Sequence, residues 1–116
     1  MSITADLIRG HTDTIILAAL MSEDSYGYRI SRMISKQTDG LFEMKEATLY
    51  TAFKRLEEQG YISSYWGEEG TGARRRYYAI TATGREAYRR LMNEWAAAEA
   101  LIDKLINPPV LDGDYT

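Results

Sequence analysis

Glu46-Ala47-Thr48-Leu49-Tyr50-Thr51-Ala52-Phe53-Lys54-Arg55-Leu56-Glu57-Glu58-Gln59-Gly60 is the stretch on which the reading of this chain turns. Leu49, Phe53 and Leu56 recur on one helical stripe and Gly60 supplies a stop, so residues 46–59 are predicted to form a helix. At about 100° per residue, the opposite side carries Ala47, Thr48, Thr51, Lys54 and Arg55, with Tyr50 at its flank. That face is small, polar and basic, with almost no acid on it until Glu58.

Immediately downstream the period changes from helical to alternating. Residues 61–66 and 74–80 are rich in aromatic and β-branched side chains that alternate in twos, and the three glycines of 67–73 make the connection a hairpin loop. Upstream, Leu7, Ile8, Ile15 and Ala19 predict one helix over about 5–20. A second helix is expected over about 26–38, capped by Ser25, burying Ile30, Met33 and Ile34, and ended by Asp39-Gly40. After the hairpin, Thr81 offers an N-cap for a last helix that runs to about Ile106 and stops at Asn107-Pro108-Pro109.

Three helices followed by a hairpin is the order of a winged helix-turn-helix. The expected class is therefore mainly α with a two-stranded β wing, plus one long C-terminal dimerisation helix. We divide the chain into a winged-helix DNA-binding unit (1–81), a pairing helix (82–107) and a mobile tail (108–116). The last helix, about 38 Å long at 1.5 Å per residue, outruns so small a body. Its apolar seam, Tyr88, Leu91, Trp95, Ala98, Ile102 and Leu105, is spaced three and four residues apart, as in helices that pack along a second helix. A homodimer interface through Leu91, Trp95, Ile102 and Leu105, with Ile8 of the first helix, is the expectation.

Composition narrows the function classes. The chain has no cysteine, which removes disulfide frameworks, thiolate nucleophiles and cysteine-based zinc sites, and its single histidine, His11, weakens the case for an enzyme, for which no nucleophile-base pair is visible and only carboxylate chemistry stays open. His11 is read as a surface or rim residue with no metal role, and no cofactor is expected. No apolar run reaches bilayer length and no secretory leader is visible, so a cytoplasmic location is expected and no membrane partner.

A net charge of −3 looks unsuited to nucleic acid until it is divided along the chain. From Lys45 to Arg90 nine Lys/Arg face six Glu, whereas elsewhere five face eleven acids. An acidic protein thus carries a basic middle. Within it, Thr48, Tyr50, Thr51 and Lys54, with Lys45 just before their helix, are the candidate major-groove face. Arg74, Arg75 and Arg76 on the wing are candidates for phosphate, although strand alternation turns Arg75 to the side opposite the other two. A basic face of this kind is also ordinary solvated surface, and a winged-helix module that binds protein and never DNA stands as the alternative.

Glu46-Ala47-Thr48-Leu49-Tyr50, continuing through Lys54-Arg55-Leu56-Glu57 and Gly60-Tyr61-Ile62, resembles the signature of the PadR family of bacterial transcriptional repressors. Tyr26-Gly27-Tyr28, Arg74-Arg75-Arg76-Tyr77-Tyr78, Ile80-Thr81 and Gly84 extend the likeness over about residues 5–106. Ile62-Ser63-Ser64-Tyr65-Trp66-Gly67 and Glu94-Trp95 are similar to a small multidrug-binding subfamily within it. The resemblance implies a dimeric repressor on a palindromic DNA operator, released by a ligand held in a flat pore between the subunits.

In that picture Trp95 stacks on planar aromatic drugs, with Leu7 and Ala98 lining the pore and Asp13 and Glu99 favouring a cation. On its own residues the chain leaves this open: a Trp in such a seam also serves as packing, and either carboxylate also serves as solvated surface. The alanines at 96–98 leave room beside the indole; Gly10 and Leu101 depart from the subfamily pattern. Trp66 is expected to pack the wing against the body.

Overall fold

The computed structural model describes residues 3–68 and 74–109. The elements are α1 (Ile3–Arg9), α2 (Thr12–Ser22), α3 (Gly27–Gln37), α4 (Glu46–Glu58), β1 (Ile62–Glu68), β2 (Arg74–Ile80) and α5 (Ala82–Ile106). The mobile stretch expected at the C-terminal end and most of the hairpin loop, residues 110–116 and 69–73, lie outside the described residues.

Where the apolar spacing predicts one N-terminal helix, the chain makes two. Gly10 N donates to the Asp6 carbonyl and His11 N to that of Ile8, which tightens and closes α1. The Thr12 hydroxyl then donates to the Arg9 carbonyl at 2.7 Å, satisfying a helix-end acceptor while α2 begins. The winged helix-turn-helix is accordingly α2-α3-α4 followed by the hairpin, with α1 as an appendage.

Ser25 is a second correction, because it does not cap α3. Its backbone pairs antiparallel with Tyr78 of β2, N–H to carbonyl both ways at 3.1 and 2.7 Å, so it adds a bridge to the edge of the wing. Its hydroxyl instead accepts from Arg29 Nε, and α3 starts at Gly27 without a side-chain cap. Met33, expected in the core, is only half-buried. At the far end the Thr38 hydroxyl accepts from the Phe42 N–H, while Asp39 and Gly40 take φ of 53° and 75° to reverse the chain.

The core sits where α2, α3, α4 and the inner face of the hairpin meet. Ile16, Leu17, Leu20, Ile30, Leu49, Phe53, Leu56 and Ile62 are sealed there, and the Phe53 ring stacks on Tyr78 with 4.1 Å between centroids. Gly60, at φ 78°, ends α4 and lets Tyr61 N reach back to the Leu56 carbonyl. The strands pair from Ile62↔Ile80 to Glu68↔Arg74. Thr81 caps α5 as predicted, accepting from Gly84 N at 3.0 Å and donating to the Gly60 carbonyl at 2.7 Å.

Candidate nucleic-acid interface

The apolar stripe of α4 is consumed by the core, which leaves its other side in solvent. Ala47, Thr48, Tyr50, Thr51 and Lys54 are all exposed, and so is Lys45 at the N-cap. The Thr51 hydroxyl donates back to the Ala47 carbonyl at 3.1 Å, so its lone pairs face outward as acceptors. Among the described residues no carboxylate lies within 4 Å of Lys45 or Lys54, and their charges are available to an external anion.

Tyr50 is set by a close approach. Its ring lies over the first residue of α3, where a Cβ on Gly27 would stand only 3.2 Å from the hydroxyl-bearing carbon. Its hydroxyl points at Glu46 Oε1, 3.4 Å away. Burial, then the charge of Glu46, raises its pKa, so it stays a neutral donor.

Arg55 behaves differently from the face to which it belongs. It turns back across the body and bonds to the Asp13 carboxylate of α2, with Nε 3.4 Å from Oδ2. The hydrogen bond to Asp13 raises the guanidinium pKa further. Asp13, implied by the resemblance to line a ligand pore with Trp95, is thus engaged by α4. The pair was not foreseen: 42 residues separate its members.

On the wing the alternation is as expected. Arg74 and Arg76 are exposed on one side with their guanidinium carbons 5.4 and 5.7 Å from the Trp66 ring centroid. Trp66 does not pack the wing onto the body; it is 55% exposed and serves as a platform for two cations. Arg76 also donates to the Ser64 hydroxyl at 2.7 Å, beside Glu57 at 3.9 Å. Arg75 is half-buried on the other side, stacked 4.6 Å over Tyr26, whose ring is also 4.9 Å from Arg29. Tyr26 and Tyr77 meet edge to face and Tyr77 stacks on Tyr65, which fixes the wing against the start of α3.

The remaining candidates lie on α1 and α5, outside α4 and the wing. Trp95 is 38% exposed, and the His11 ring meets it edge-on with centroids 4.6 Å apart. His11, read from sequence as rim, is therefore the indole's aromatic neighbour at the break between α1 and α2. Ile8, Leu91 and Ala98 are half-buried; Leu7, Glu99, Ile102 and Leu105 are exposed. No helix among the described residues is long and apolar enough to cross a membrane.

Taken together, a three-helix body, a basic two-stranded wing and an outward polar helix face define a winged helix-turn-helix protein. Residues 16–90 match the transcriptional regulator PadR-like family, and the chain belongs to it. It is thus a PadR-like transcriptional regulator. A transcriptional regulator from Clostridium thermocellum is 50% identical, with a TM-score of 0.80 over 89% of this chain and 97% of that one. An uncharacterized protein of Lysinibacillus sphaericus is 45% identical over 101 residues, covering 87% of this chain and 93% of its own length. Bacillus subtilis PadR, solved in complex with operator DNA, shares the fold at 21% identity, with a TM-score of 0.62 over 69% of this chain and 45% of that one.

Proposed function

We propose that this chain is a homodimeric repressor whose α4 and wing read the two half-sites of a palindromic operator. One observation carries the reading: the solvent face of α4 presents small polar groups and Lys54, with Lys45 at its start, and neither lysine has an internal counter-charge among the described residues. Thr48 and Thr51 are small enough to approach base edges, and Lys45, Tyr50, Lys54 and the wing arginines serve phosphates. That the same fold has been solved on operator DNA supports the assignment. Residues 1–81 form the reading unit and 82–107 the pairing helix, two-fold symmetry of the dimer matching that of the operator.

The effector is the second part of the proposal. A planar aromatic cation bound between the two Trp95 rings, near Leu7, Ala98 and Glu99, would favour a spacing of the readers that does not fit DNA. The partly exposed indole, met edge-on by a histidine with both its faces free of other rings among the described residues, supports that site.

Anisotropy with promoter duplexes over a salt series tests the DNA reading. Binding that weakens steeply with salt, and is abolished in a Lys54→Ala/Arg75→Ala double variant, is expected. Absence of binding at low salt to any inverted repeat of the promoter overturns it in favour of a protein-interaction module. Titrating planar cationic aromatics into a Trp66→Phe variant isolates Trp95 fluorescence; quenching is expected, and an unchanged spectrum removes the sandwich for that ligand class.

A further inference from the structure

A groove of about 630 Å³ runs between α3 and the segment 43–45 that feeds α4. Arg29, Arg32 and Lys36 line it from α3, and Lys45 closes it at the start of the reader helix. The three α3 cations stand at spacings of three and four, one face of a helix. Ser31 Oγ donates to the Met44 carbonyl at 3.0 Å and holds the 43–45 segment against α3, so the groove is a fixed feature of the body.

The cations in it are not equivalent. Arg29 is committed to the Asp24 carbonyl, the Ser25 hydroxyl and the Glu23 carboxylate at 3.9 Å. Arg32 rests on Tyr28, 5.9 Å over the ring, and neither it nor Lys36 has a carboxylate within 4 Å among the described residues. Glu43 supplies the groove's one negative side chain. Three cations without an internal counter-charge therefore share a trough with a single acid, and the trough is continuous through Lys45 with the exposed face of α4.

We propose that this groove grips the phosphate strand flanking each half-site, outside the base pairs that α4 reads. The inference rests on the DNA reading above and extends it to residues that reading does not use. Arg32 and Lys36 are offset by about 6 Å along the helix axis, so each serves a different phosphate. Point charges of this kind position the duplex and carry no sequence information. The operator contact is accordingly longer than the sequence that is read.

An Arg32→Ala/Lys36→Ala double variant of the full chain tests this by anisotropy over a salt series. Two duplexes are used, one trimmed to the half-sites and one extended by several base pairs at both ends. On the extended duplex the variant should show a log–log salt slope shallower by about 2 per protomer, since each lost phosphate contact removes about 0.9. Between 50 and 200 mM salt each variant protomer then loses about tenfold less affinity than the wild type. The loss should be equal for operator and unrelated sequence, absent on the trimmed duplex, and restored by Arg32→Lys/Lys36→Arg.

An unchanged slope on the extended duplex, in a variant whose circular dichroism matches the wild type, overturns the groove while leaving the α4 reading intact. Stabilisation of the wild type but not the variant by inorganic pyrophosphate, with the DNA slope unchanged, overturns it in favour of a small-anion site. A wild type that binds neither duplex overturns both readings together.

Discussion

The two halves of α5 belong to one unbroken helix and one continuous seam, yet they stand in different surroundings. From Ala82 to Leu91 the helix lies against the body, with Gly84 and Ala87 buried and Tyr88 and Leu91 half-buried. From Met92 to Ile106 the same seam is largely exposed, Ala98 being half-buried and Ile102 50% and Leu105 79% exposed. Trp95 stands at the crossover, 38% exposed and met edge-on by the His11 ring. The chain's own core is thus satisfied before its longest helix is half finished. In the proposed dimer, covering each large apolar side chain of the exposed half would contribute about 1.5–3 kcal/mol. The dimer proposed above would cover the part of α5 that the body leaves exposed.

The comparison breaks most severely at Gly84, which anchors the near half. A Cβ there runs into the Tyr61 carbonyl and stands 2.8 Å from Ile80 Cγ1, so backbone rather than a pliable side chain must give way. Gly84→Ala is expected to destabilise the body by about 3 kcal/mol and to lower its melting temperature by roughly 10 °C or more. Thermal and denaturant unfolding measure it. A loss below about 1 kcal/mol would mean that the α4-β1 turn yields and that the near half is held more loosely than its burial suggests.

The far half should respond in the opposite manner. Ile102→Ala removes a side chain that is 50% exposed and lies outside the core cluster, so the unfolding free energy of the isolated protomer should move by less than about 0.5 kcal/mol. Association should weaken by about 2 kcal/mol, or some thirtyfold, if the side chain is covered in the dimer. Sedimentation at several concentrations reads the second quantity and dilute unfolding the first. Equal effects on both would place Ile102 in the body's stability and remove the distinction between the halves.

The near half and the body it joins were legible from sequence because their signals are local. The stripe Leu49-Phe53-Leu56, the Gly60 stop, the alternation through 74–80 and the Thr81 cap each lie within one element and agree with one another. Four features were not legible: the first turns on local hydrogen bonds that close a helix inside an unbroken apolar pattern, the others on distant partners. Apolar spacing continues through Gly10-His11, so nothing in the pattern shows that α1 closes there. Ser25 suits a cap and a strand equally, and Tyr78 decides between them. Alternation says which way Trp66 points, but not that Arg74 and Arg76 cover it. Likewise a helical wheel lays Arg55 on the reader face, and only the packing of α2 on α4 supplies the carboxylate that turns it away.

That last pair gives the smallest expected effect and the sharpest use of the comparison, because residues 11–13 touch both sides of it. His11 contacts Trp95 where α5 leaves the body, and two residues on Asp13 holds Arg55 of α4. The pair is substantially solvent-accessible, 47% for Arg55 and 33% for Asp13, so Asp13→Asn should alter stability by less than about 1 kcal/mol. Its effect should instead fall on the reader: Arg55, released from its carboxylate, becomes one more cation on α4, and the salt slope of DNA binding should steepen by about 0.9 per protomer. Trp95 emission in a Trp66→Phe background should not move, since the His11 contact does not depend on that carboxylate. A steeper slope with unchanged emission would make Asp13 a restraint on the reader alone. A shift of Trp95 emission in the same variant would instead show that the start of α2 transmits between the exposed half of α5 and α4.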